Sequence, residues 1–459
     1  MRPITHAPRP ANGLHILGIA LGFSLALLAA CTGTSAPPTP TPTVVPTATP
    51  TPFPPPPPVP ATIPGSTEPS RLAPPDELPF VRGELAGPGL NLTDPTTLAF
   101  GPDRRLYVGQ LNGQITAITL EGRTVTGVEV IAEAEDLDMV LGIAFNPADP
   151  PEPVTLYVSH TTLFSGEHGP RFPGKISRLV APDFRPVDLI TGLPAGANEH
   201  GTNGIAFDAE GRLFIAQGGT TNAGAMSERH PRPETPLSGA ILLAELQHVD
   251  FDGAVRYLES EISERTFVQA TGDVRIYAGG LRNPYDLVLH SNGHLYATDN
   301  GPNPRAGSAS LDCAGEGESP WAPDELNLIV RGQYYGHPNR NRGTLDPRQC
   351  VYHASDDGTG RVTPPIATLG YSVSANGLAE YTSDAFGGAL RGDLIYVEWN
   401  HDLVQRVQLS PDGTRVESIS QLVPDVLAGP LDVAVGPDGT VYIAEFDTAR
   451  IVYFAPPDG

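Results

Sequence analysis

The chain has 459 residues, with 28 Lys and Arg against 52 Asp and Glu, which gives a formal net charge of −24. Nucleic-acid binding requires a basic surface, so this composition excludes it as an expected function. The length suits one large domain with an ample core, preceded by segments of different composition.

The first 31 residues have the pattern of an export signal. Two arginines precede an apolar run at residues 16–30, whose length suits a signal peptide better than a stable membrane span. The run ends in Leu28-Ala-Ala-Cys31, which resembles a bacterial lipobox, whose Cys becomes the lipidated first residue of the mature protein. We predict that residues 1–31 are a lipoprotein signal peptide with Cys31 as the anchor. An ordinary signal peptide or a short core helix is the alternative.

Residues 32–75 consist mostly of Pro, Thr, Ser and Ala. Such a segment cannot bury a core, and its prolines favour an extended polyproline form. We predict a disordered linker that holds the folded domain away from a membrane. The expected location is extracytoplasmic, anchored to the bacterial cell membrane, with the lipid as the only membrane contact.

A strand–turn–strand unit recurs through the remaining residues, 76–459. In each copy a short apolar strand leads into a Pro-Asp-Gly-type turn and then a second apolar strand. Gly with Asn or Asp supplies the backbone angles that a tight hairpin needs. Clear copies lie at 98–107, 204–214, 286–296 and 432–442, and weaker ones at 142–158 and 377–397.

This recurrence predicts an all-β fold, a six-bladed β-propeller of four-stranded antiparallel sheets. A sandwich or a large barrel is the alternative, but the copies return at blade-like intervals and no helical pattern alternates with them. We expect the strands at 433–454 to share a blade with residues near 80–92, which would close the ring.

Two cysteines remain once Cys31 is lipidated, namely Cys313 and Cys350. An export compartment favours a disulfide between them, and this bond would tie a long insertion. Two unrelated buried thiols are the alternative. The spacing of these cysteines matches no zinc pattern.

Three loop motifs carry the candidate chemistry. The first is residues 198–204, in which Glu199 and His200 precede a strand. A His beside an acid can serve as a general base, because its pKa lies near working pH. The alternative is a His that only caps or hydrogen-bonds a loop.

The second motif, residues 277–286, contains Arg282 and Asn283 just before a strand. An Arg offers a rigid set of donors for an anionic or carbonyl oxygen, and the Asn adds an amide. The alternative is a turn held by side-chain hydrogen bonds.

The third motif, residues 298–304, follows a strand and contains Asn300, Gly301 and Pro302. Gly and Pro can expose backbone carbonyls, which together with nearby carboxylates make oxygen ligands for calcium. No EF-hand spacing is present, and a purely structural loop is the alternative.

In this order the motifs resemble those of the glucose/sorbosone dehydrogenase family, the soluble quinoprotein sugar dehydrogenases with a six-bladed propeller. The pair at 199–200 lies where that family has an Asp-His pair, and residues 280–284 are similar to its Gly-x-Arg-Asn-Pro motif. Residues 300–302 with 324–329 are similar to its Gln-Gly-Pro and Asp-Glu-Ile-Asn segments. Residues 335–338 stand in for its Tyr-Gly-Trp-Pro.

The resemblance implies that His200 takes the proton from the anomeric hydroxyl of a sugar while a hydride passes from that carbon to pyrroloquinoline quinone (PQQ). It implies that Arg282 steadies the reduced quinone oxygen. It also implies that a calcium ion, held partly by the Gly301 and Pro302 carbonyls, polarises the quinone. The cofactor or substrate contacts that it assigns are Glu199, Arg282, Asn283 and Asn300.

The chain departs from the family at several cofactor contacts. Asn400 stands where the family has a Lys, and Leu137 stands where it has a Gln. Gly429 and Leu431 stand where it has a pair of Arg.

These departures matter because PQQ carries three carboxylates, so that its pocket needs several cations. The cations that we expect to remain are Arg282, calcium and either His401 or Arg406.

The sequence therefore predicts an enzyme that oxidises an aldose-type sugar at C1 to the lactone, using PQQ and calcium, outside the cytoplasmic membrane. Its partners are a small sugar and an electron acceptor that the sequence does not identify. Two alternatives stay open. One is a non-catalytic, lipid-anchored propeller that binds carbohydrate or protein, and the other is a calcium-dependent lactonase-like hydrolase.

Overall fold

The computed structural model describes residues 78–134, 136–162, 169–197, 200–354, 358–424 and 426–457. These residues form six four-stranded antiparallel sheets and one additional two-stranded hairpin. The innermost strands of successive sheets lie side by side, and the last lies against the first, so the sheets form a closed ring. The predicted six-bladed β-propeller is confirmed. The predicted signal peptide and linker lie outside the described residues.

The strands follow one order in every blade, from the central channel to the outside. Blade 1 contains β2 (Pro95–Phe100), β3 (Leu106–Gln110), β4 (Ile115–Glu121) and β5 (Thr124–Ala132). Blade 2 contains β6 (Met139–Ala144), β7 (Thr155–Thr161), β8 (Gly174–Val180) and β9 (Val187–Leu193). Blade 3 contains β10 (Thr202–Phe207), β11 (Leu213–Gln217), β12 (Ala240–Ala244) and β15 (Arg275–Gly279), with the inserted hairpin β13 (Arg256–Glu259) and β14 (Phe267–Thr271). Blade 4 contains β16 (Pro284–Leu289), β17 (Leu295–Asp299), β18 (Pro323–Ile329) and β19 (Ala367–Tyr371). Blade 5 contains β20 (Ala375–Glu380), β21 (Leu394–Glu398), β22 (Leu403–Leu409) and β23 (Val416–Gln421). Blade 6 contains β24 (Pro430–Val435), β25 (Val441–Glu445), β26 (Arg450–Ala455) and β1 (Val81–Glu84). Short 3-10 helices cover Pro347–Cys350 and Ala385–Gly388.

The recurring turns have the local chemistry that the sequence indicates. Between β16 and β17, the Asn292 carbonyl oxygen Oδ1 accepts the His294 amide at 2.9 Å, and Gly293 has φ of +85°. Between β24 and β25, Asp438 Oδ1 accepts a backbone amide in the same way, and Gly439 has φ of +84°. Glycine meets this backbone requirement without steric cost, so each hairpin forms from short-range signals.

The ring closes through the first strand of the domain. β1 pairs antiparallel with β26, with Val81 opposite Ala455 and Glu84 opposite Val452. The expectation that residues near 80–92 complete the last blade is therefore confirmed for β1. Joining the two ends of the domain in one sheet protects an edge that would otherwise be open.

Each innermost strand has an irregular register with its neighbour close to its first residues. Polar side chains there connect one blade to the next. Asp286 Oδ2 accepts the Leu378 amide at 2.8 Å, and Asp432 Oδ2 accepts the Leu98 amide at 2.6 Å. Bulges of this kind redirect side chains next to functional sites. Here the side chains of Asp286 and Asp432 bond the innermost strand of one blade to that of the next.

The apolar core is divided into clusters that lie between neighbouring blades. In one of them, Tyr157 and Ile176 of blade 2 pack against Phe207 and Ile215 of blade 3. Burial of one such large side chain contributes roughly 1.5–3 kcal/mol. Each blade is therefore stabilised mainly by contact with its neighbours.

Long loops leave blade 4 on either side of β18. The sulfur atoms of Cys313 and Cys350 are bonded to each other, with their Cα atoms 4.4 Å apart. This disulfide joins the β17–β18 loop to the segment before β19. Within the described ranges, no helix has the length and apolar character needed to cross a membrane.

Candidate active site

A cavity of about 350 Å³ lies against the first residues of the innermost strands of blades 4, 5 and 6 and against the segment that leads into the innermost strand of blade 3. Its lining is mostly polar and includes two arginines, five asparagines and two serines. Tyr285, Trp399 and Leu431 supply its larger rings and apolar surface. A concave site with converging polar groups is the usual form of a small-molecule binding site.

His200 lies at the wall of this cavity, two residues before β10. Only 1% of its surface is exposed, and its Nδ1 lies 2.9 Å from the carbonyl oxygen of Gly219. A carbonyl only accepts hydrogen bonds, so Nδ1 carries the proton in the neutral ring and Nε2 is the basic nitrogen. The neighbouring Gly218 is required, because a side chain there would meet the Cβ of His200.

Arg282 and Asn283 line the same cavity, and the end of β17 holds their backbone. Asp299 accepts the Arg282 amide at 3.0 Å and the Asn283 amide at 2.7 Å. Burial, and then the nearby Glu325 carboxylate, raise the pKa of Asp299 to about 8. The amides of the motif are thus bound to a buried carboxyl group, which keeps the turn in place.

The guanidinium group of Arg282 is also held on several sides. Its Nε donates to the Asn222 carbonyl at 3.2 Å and its Nη2 donates to the Asn222 side chain at 3.1 Å. Its Nη1 donates to the Asn300 carbonyl at 3.1 Å. The sequence left a structural turn and a binding group as alternatives. The structure shows the hydrogen-bonded turn and has the guanidinium group at the cavity wall, and the binding role stays a prediction.

Asn300 and Gly301 also line the cavity, whereas Pro302 borders a separate small void of about 20 Å³. The Gly301 amide donates to Asp324 Oδ1 at 2.9 Å. A side chain at Gly301 would collide with the carbonyl oxygens of two neighbouring residues, so the loop conformation depends on this glycine. Burial raises the pKa of Asp324 to about 6. Among the described residues, no group of three or more acidic, His or Cys side chains forms a metal cluster.

The departures from the family pattern fall in two kinds of place. Asn400 and Leu431 line the cavity, so the positions where the family has cations do reach the site and are uncharged here. Leu137 instead lies in the apolar core between blades 1 and 2. At Gly429, φ is +60° and a side chain would meet Asp447.

The expectation that His401 or Arg406 would supply a cavity cation is wrong. Arg406 lies on β22, where its Nε bonds Asp393 at 2.6 Å and its Nη2 donates to the Ala389 carbonyl. His401 Nδ1 lies 2.7 Å from Glu398. Neither side chain lines the cavity. Both instead bond carboxylates of their own blade, Asp393 for Arg406 and Glu398 for His401.

The second cation of the cavity is Arg229, which the sequence analysis missed. It comes from the long connection between β11 and β12, residues 218–239. Second-to-third strand connections emerge on the same face as the start of the innermost strand, next to His200. The length of this connection and its Arg229-His230 pair are the signal that could have pointed to it. Glu199, the predicted acid beside His200, lies outside the described residues.

The fold and the cavity together define a β-propeller with one polar, arginine-bearing site at its strand entrances. A family model described as glucose/sorbosone dehydrogenase matches residues 92–452 of the chain. The chain therefore belongs to the glucose/sorbosone dehydrogenase family, as the order of its motifs indicates.

Individual relatives are distant. The chain is 24% identical over 306 residues to quinoprotein glucose dehydrogenase B of Acinetobacter calcoaceticus. This match covers 62% of this chain and 58% of that protein. It is also 24% identical over 241 residues to an aldose sugar dehydrogenase of Escherichia coli K12. This match covers 52% of this chain and 55% of the Escherichia coli protein. The chain thus spans less than two thirds of either relative. The PQQ-bound aldose sugar dehydrogenase from Streptomyces coelicolor has the same fold, with a TM-score of 0.55 at 18% identity, covering 82% of this chain and 99% of that one.

Proposed function

We propose that this protein oxidises an aldose-type sugar at C1 to the lactone, with PQQ as the hydride acceptor and calcium as a second cofactor. The observation that carries the proposal is that one cavity brings together His200, Arg282, Asn283, Asn300 and Gly301. These residues come from three separate sequence motifs, and it is the folding of the chain that brings them to one cavity.

The cavity fits a planar polyanion with several carbonyl oxygens. Arg229 and Arg282 supply two guanidinium groups, the asparagines supply amide donors, and Trp399 supplies a flat ring. Its volume of about 350 Å³ lies within the usual range for small-molecule sites. We assign carboxylate and quinone contacts to Arg229, Arg282, Asn283 and Asn300. When bound, PQQ supplies the two-electron oxidising chemistry that protein side chains lack.

We propose that calcium binds at the Gly301 and Pro302 carbonyls. Oxygen donors are the ligands that calcium takes. Gly301 lines the cavity, and Gly301 and Pro302 both border the small void next to it. The Asp324 carboxylate oxygens already accept the Gly301 and Ala375 amides at 2.9 and 3.0 Å. The remaining ligands would therefore come from backbone, cofactor and water.

The protein's own part in the reaction is proton transfer and positioning. His200 Nε2 takes the proton of the anomeric hydroxyl, because Nδ1 is already committed to Gly219. Loss of that proton with the C1 hydride converts the hemiacetal carbon into the lactone carbonyl. Asp299 and Asn222 hold Arg282 in place. Its positive charge can therefore stabilise the quinone oxygen that becomes negative, without a rearrangement of the side chain.

We further propose that the mature protein is attached to the outside of the cytoplasmic membrane through lipid on Cys31. The lipobox-like sequence and the Pro/Thr-rich segment after it support this location. An electron acceptor at the cell envelope would reoxidise the cofactor.

The test is reconstitution of apo-protein with PQQ and calcium, followed by a dye-linked assay over a panel of aldoses. We expect dye reduction that requires PQQ, yields lactone, falls on chelation of calcium and returns when calcium is added back. Protein that reduces no dye with any aldose, after saturation with PQQ and calcium, would contradict the proposal.

One observation favours a second candidate, a non-catalytic propeller that binds carbohydrate. The uncharged Asn400 and Leu431 stand at cavity positions where the family has cations. If this candidate is correct, calorimetry will show no PQQ binding with calcium present, while a glycan array will show carbohydrate binding by the apo-protein.

A further inference from the structure

A buried carboxylate lies behind the candidate base, in a place that the motifs do not mark. Glu234 belongs to the connection between β11 and β12, and only 2% of its surface is exposed. It accepts the Thr221 amide at 2.9 Å, the Thr221 hydroxyl at 2.6 Å and the Ser238 hydroxyl at 2.5 Å. The Thr220 amide donates to it at 3.1 Å, and His337 Nε2 lies 3.0 Å away.

These donors make Glu234 a buried anion. Burial raises the pKa of Glu234, but the hydrogen bond from His337, together with those from the two hydroxyl groups, holds this pKa well below its usual range. Burial lowers the pKa of His337. The pair is therefore a carboxylate with a neutral imidazole that donates from Nε2, and Arg342 is the nearby positive charge.

Gly219 connects this carboxylate to His200. Its carbonyl oxygen accepts His200 Nδ1 at 2.9 Å, and its amide donates to the Arg282 carbonyl at 2.7 Å. A Cβ on Gly219 would lie 3.1 Å from His337 Nε2 and 3.2 Å from Glu234 Oε1. The Gly219–Thr220 peptide group joins the base to the carboxylate, because its carbonyl accepts His200 Nδ1 and its amide donates to Glu234. A Cβ on Gly219 would also lie 2.9 Å from the Arg282 carbonyl oxygen, so a larger residue would be crowded there.

We propose that Glu234 is a positioning residue for His200. It clamps the turn at residues 219–221 so that the Gly219 carbonyl points at Nδ1, and its negative charge favours the protonated ring that forms when His200 accepts a proton. The arrangement is a carboxylate–peptide–histidine series, in which the carboxylate acts through a backbone group. This inference rests on the proposed role of His200 as the base.

The electrostatic effect of Glu234 acts alongside other charges. Arg229, Arg282 and Asp324 line the same cavity as His200, and the centroids of the His230 and His200 rings are 5.5 Å apart. The arginines disfavour a proton on His200, so a carboxylate behind the ring opposes their effect. In the Glu234→Gln variant the side chain keeps its size and loses this charge. The new amide group would also face the donors that surround the carboxylate.

The test uses apo-protein with 15N-labelled histidine, so it does not depend on cofactor or activity. NMR would follow the His200 ring against pH, with the signals assigned through His200→Gln. In Glu234→Gln we expect the titration midpoint of His200 to fall by on the order of one pH unit, the effect of losing a nearby opposite charge. We also expect partial loss of the tautomer protonated at Nδ1. Thr221→Val is the matched control, because it removes one donor to the same carboxylate and keeps the charge.

An unchanged midpoint and tautomer in folded Glu234→Gln would overturn the proposal. If that variant does not fold, Glu234→Asp gives the second comparison, since its carboxylate is withdrawn from the turn. A smaller downward shift is expected there, and no shift in folded protein would equally overturn the proposal. In PQQ-loaded protein the acidic limb of kcat/KM should move to lower pH by the same amount as the NMR midpoint. Absence of all dehydrogenase activity in the wild type would refute the proposed function. The NMR comparison would still decide whether Glu234 positions His200 and affects its protonation.

Discussion

Mild acid should destabilise the propeller through His160, which β7 holds in its neutral form. Its Nδ1 accepts the Asp138 amide at 3.1 Å, so this nitrogen carries no proton. Its Nε2 lies 2.8 Å from the Ser177 hydroxyl, which itself donates to Asp188 at 2.7 Å, so Nε2 is the donor. A second proton on the ring would point at the Asp138 amide and break that bond.

The size of the effect follows from the shift. Burial lowers the pKa of His160 from 6.5 to about 4, although the Asp138 carboxylate opposes this. The unfolded chain therefore binds a proton near pH 6.5 that the folded chain resists until about pH 4, so stability falls as pH drops through this window. At about 1.4 kcal/mol per pKa unit, the loss is roughly 2 kcal/mol by pH 5 and about 3 kcal/mol below pH 4.

The assay is urea unfolding followed by circular dichroism at pH 7.5 and pH 5. His160→Gln keeps one acceptor and one donor but does not titrate, so subtracting it isolates this group from the other histidines. We expect the stability advantage of the wild type over this variant to shrink by about 2 kcal/mol at pH 5. His248→Gln, at a side chain that is 65% exposed, controls for loss of an imidazole. An advantage that stays constant within about 0.5 kcal/mol would show that His160 does not resist protonation in the folded protein.

Three further predictions concern other parts of the chain. His200→Ala in PQQ-loaded protein should lower kcat/KM by about 10²–10⁴-fold, the range for loss of a general base, and full activity would exclude His200 as the base. Replacing Cys313 and Cys350 by Ser should lower the free energy of unfolding by about 4 kcal/mol, from the loop of 37 residues that they close. Mass spectrometry of unreduced wild-type peptides with two free thiols would contradict the bond. Cys31→Ser should abolish lipid labelling and release the protein from membranes, and an unlabelled, freely secreted wild type would show that the lipobox reading is wrong.

The blade architecture was predictable because its signals are local. Turns such as Asn292-Gly293 and Asp438-Gly439 specify hairpins through a few neighbouring residues, and the repetition of such hairpins along the chain leads to a propeller. Closure by β1 was predictable for a related reason, since a ring with an open edge would expose unpaired backbone groups.

The cavity was predictable only where its residues stand at strand ends. His200, Arg282 and Asn300 lie within two residues of a strand, so the fold determines their position. Arg229 and Glu234 lie in a 22-residue connection between β11 and β12. Its residues bond the β17–β18 loop of blade 4, and a sequence pattern carries no record of such contacts. For this reason the sequence predicted a further cation at Arg406 on β22 or at His401 in the turn before it. The structure instead has the additional arginine, Arg229, in the β11–β12 connection.

The most direct test of the proposed sugar oxidation is anaerobic mixing of PQQ-loaded protein with an aldose, followed by absorbance of the bound cofactor. In the wild type we expect one equivalent of reduced cofactor and one of lactone per protein, in a single turnover. The His200→Ala variant should bind PQQ with similar affinity, but its bound PQQ should be reduced at least a hundredfold more slowly. Wild-type protein that binds no PQQ in the presence of calcium, or that binds it and leaves it oxidised with every aldose, would contradict a PQQ-dependent oxidation of aldoses by this protein.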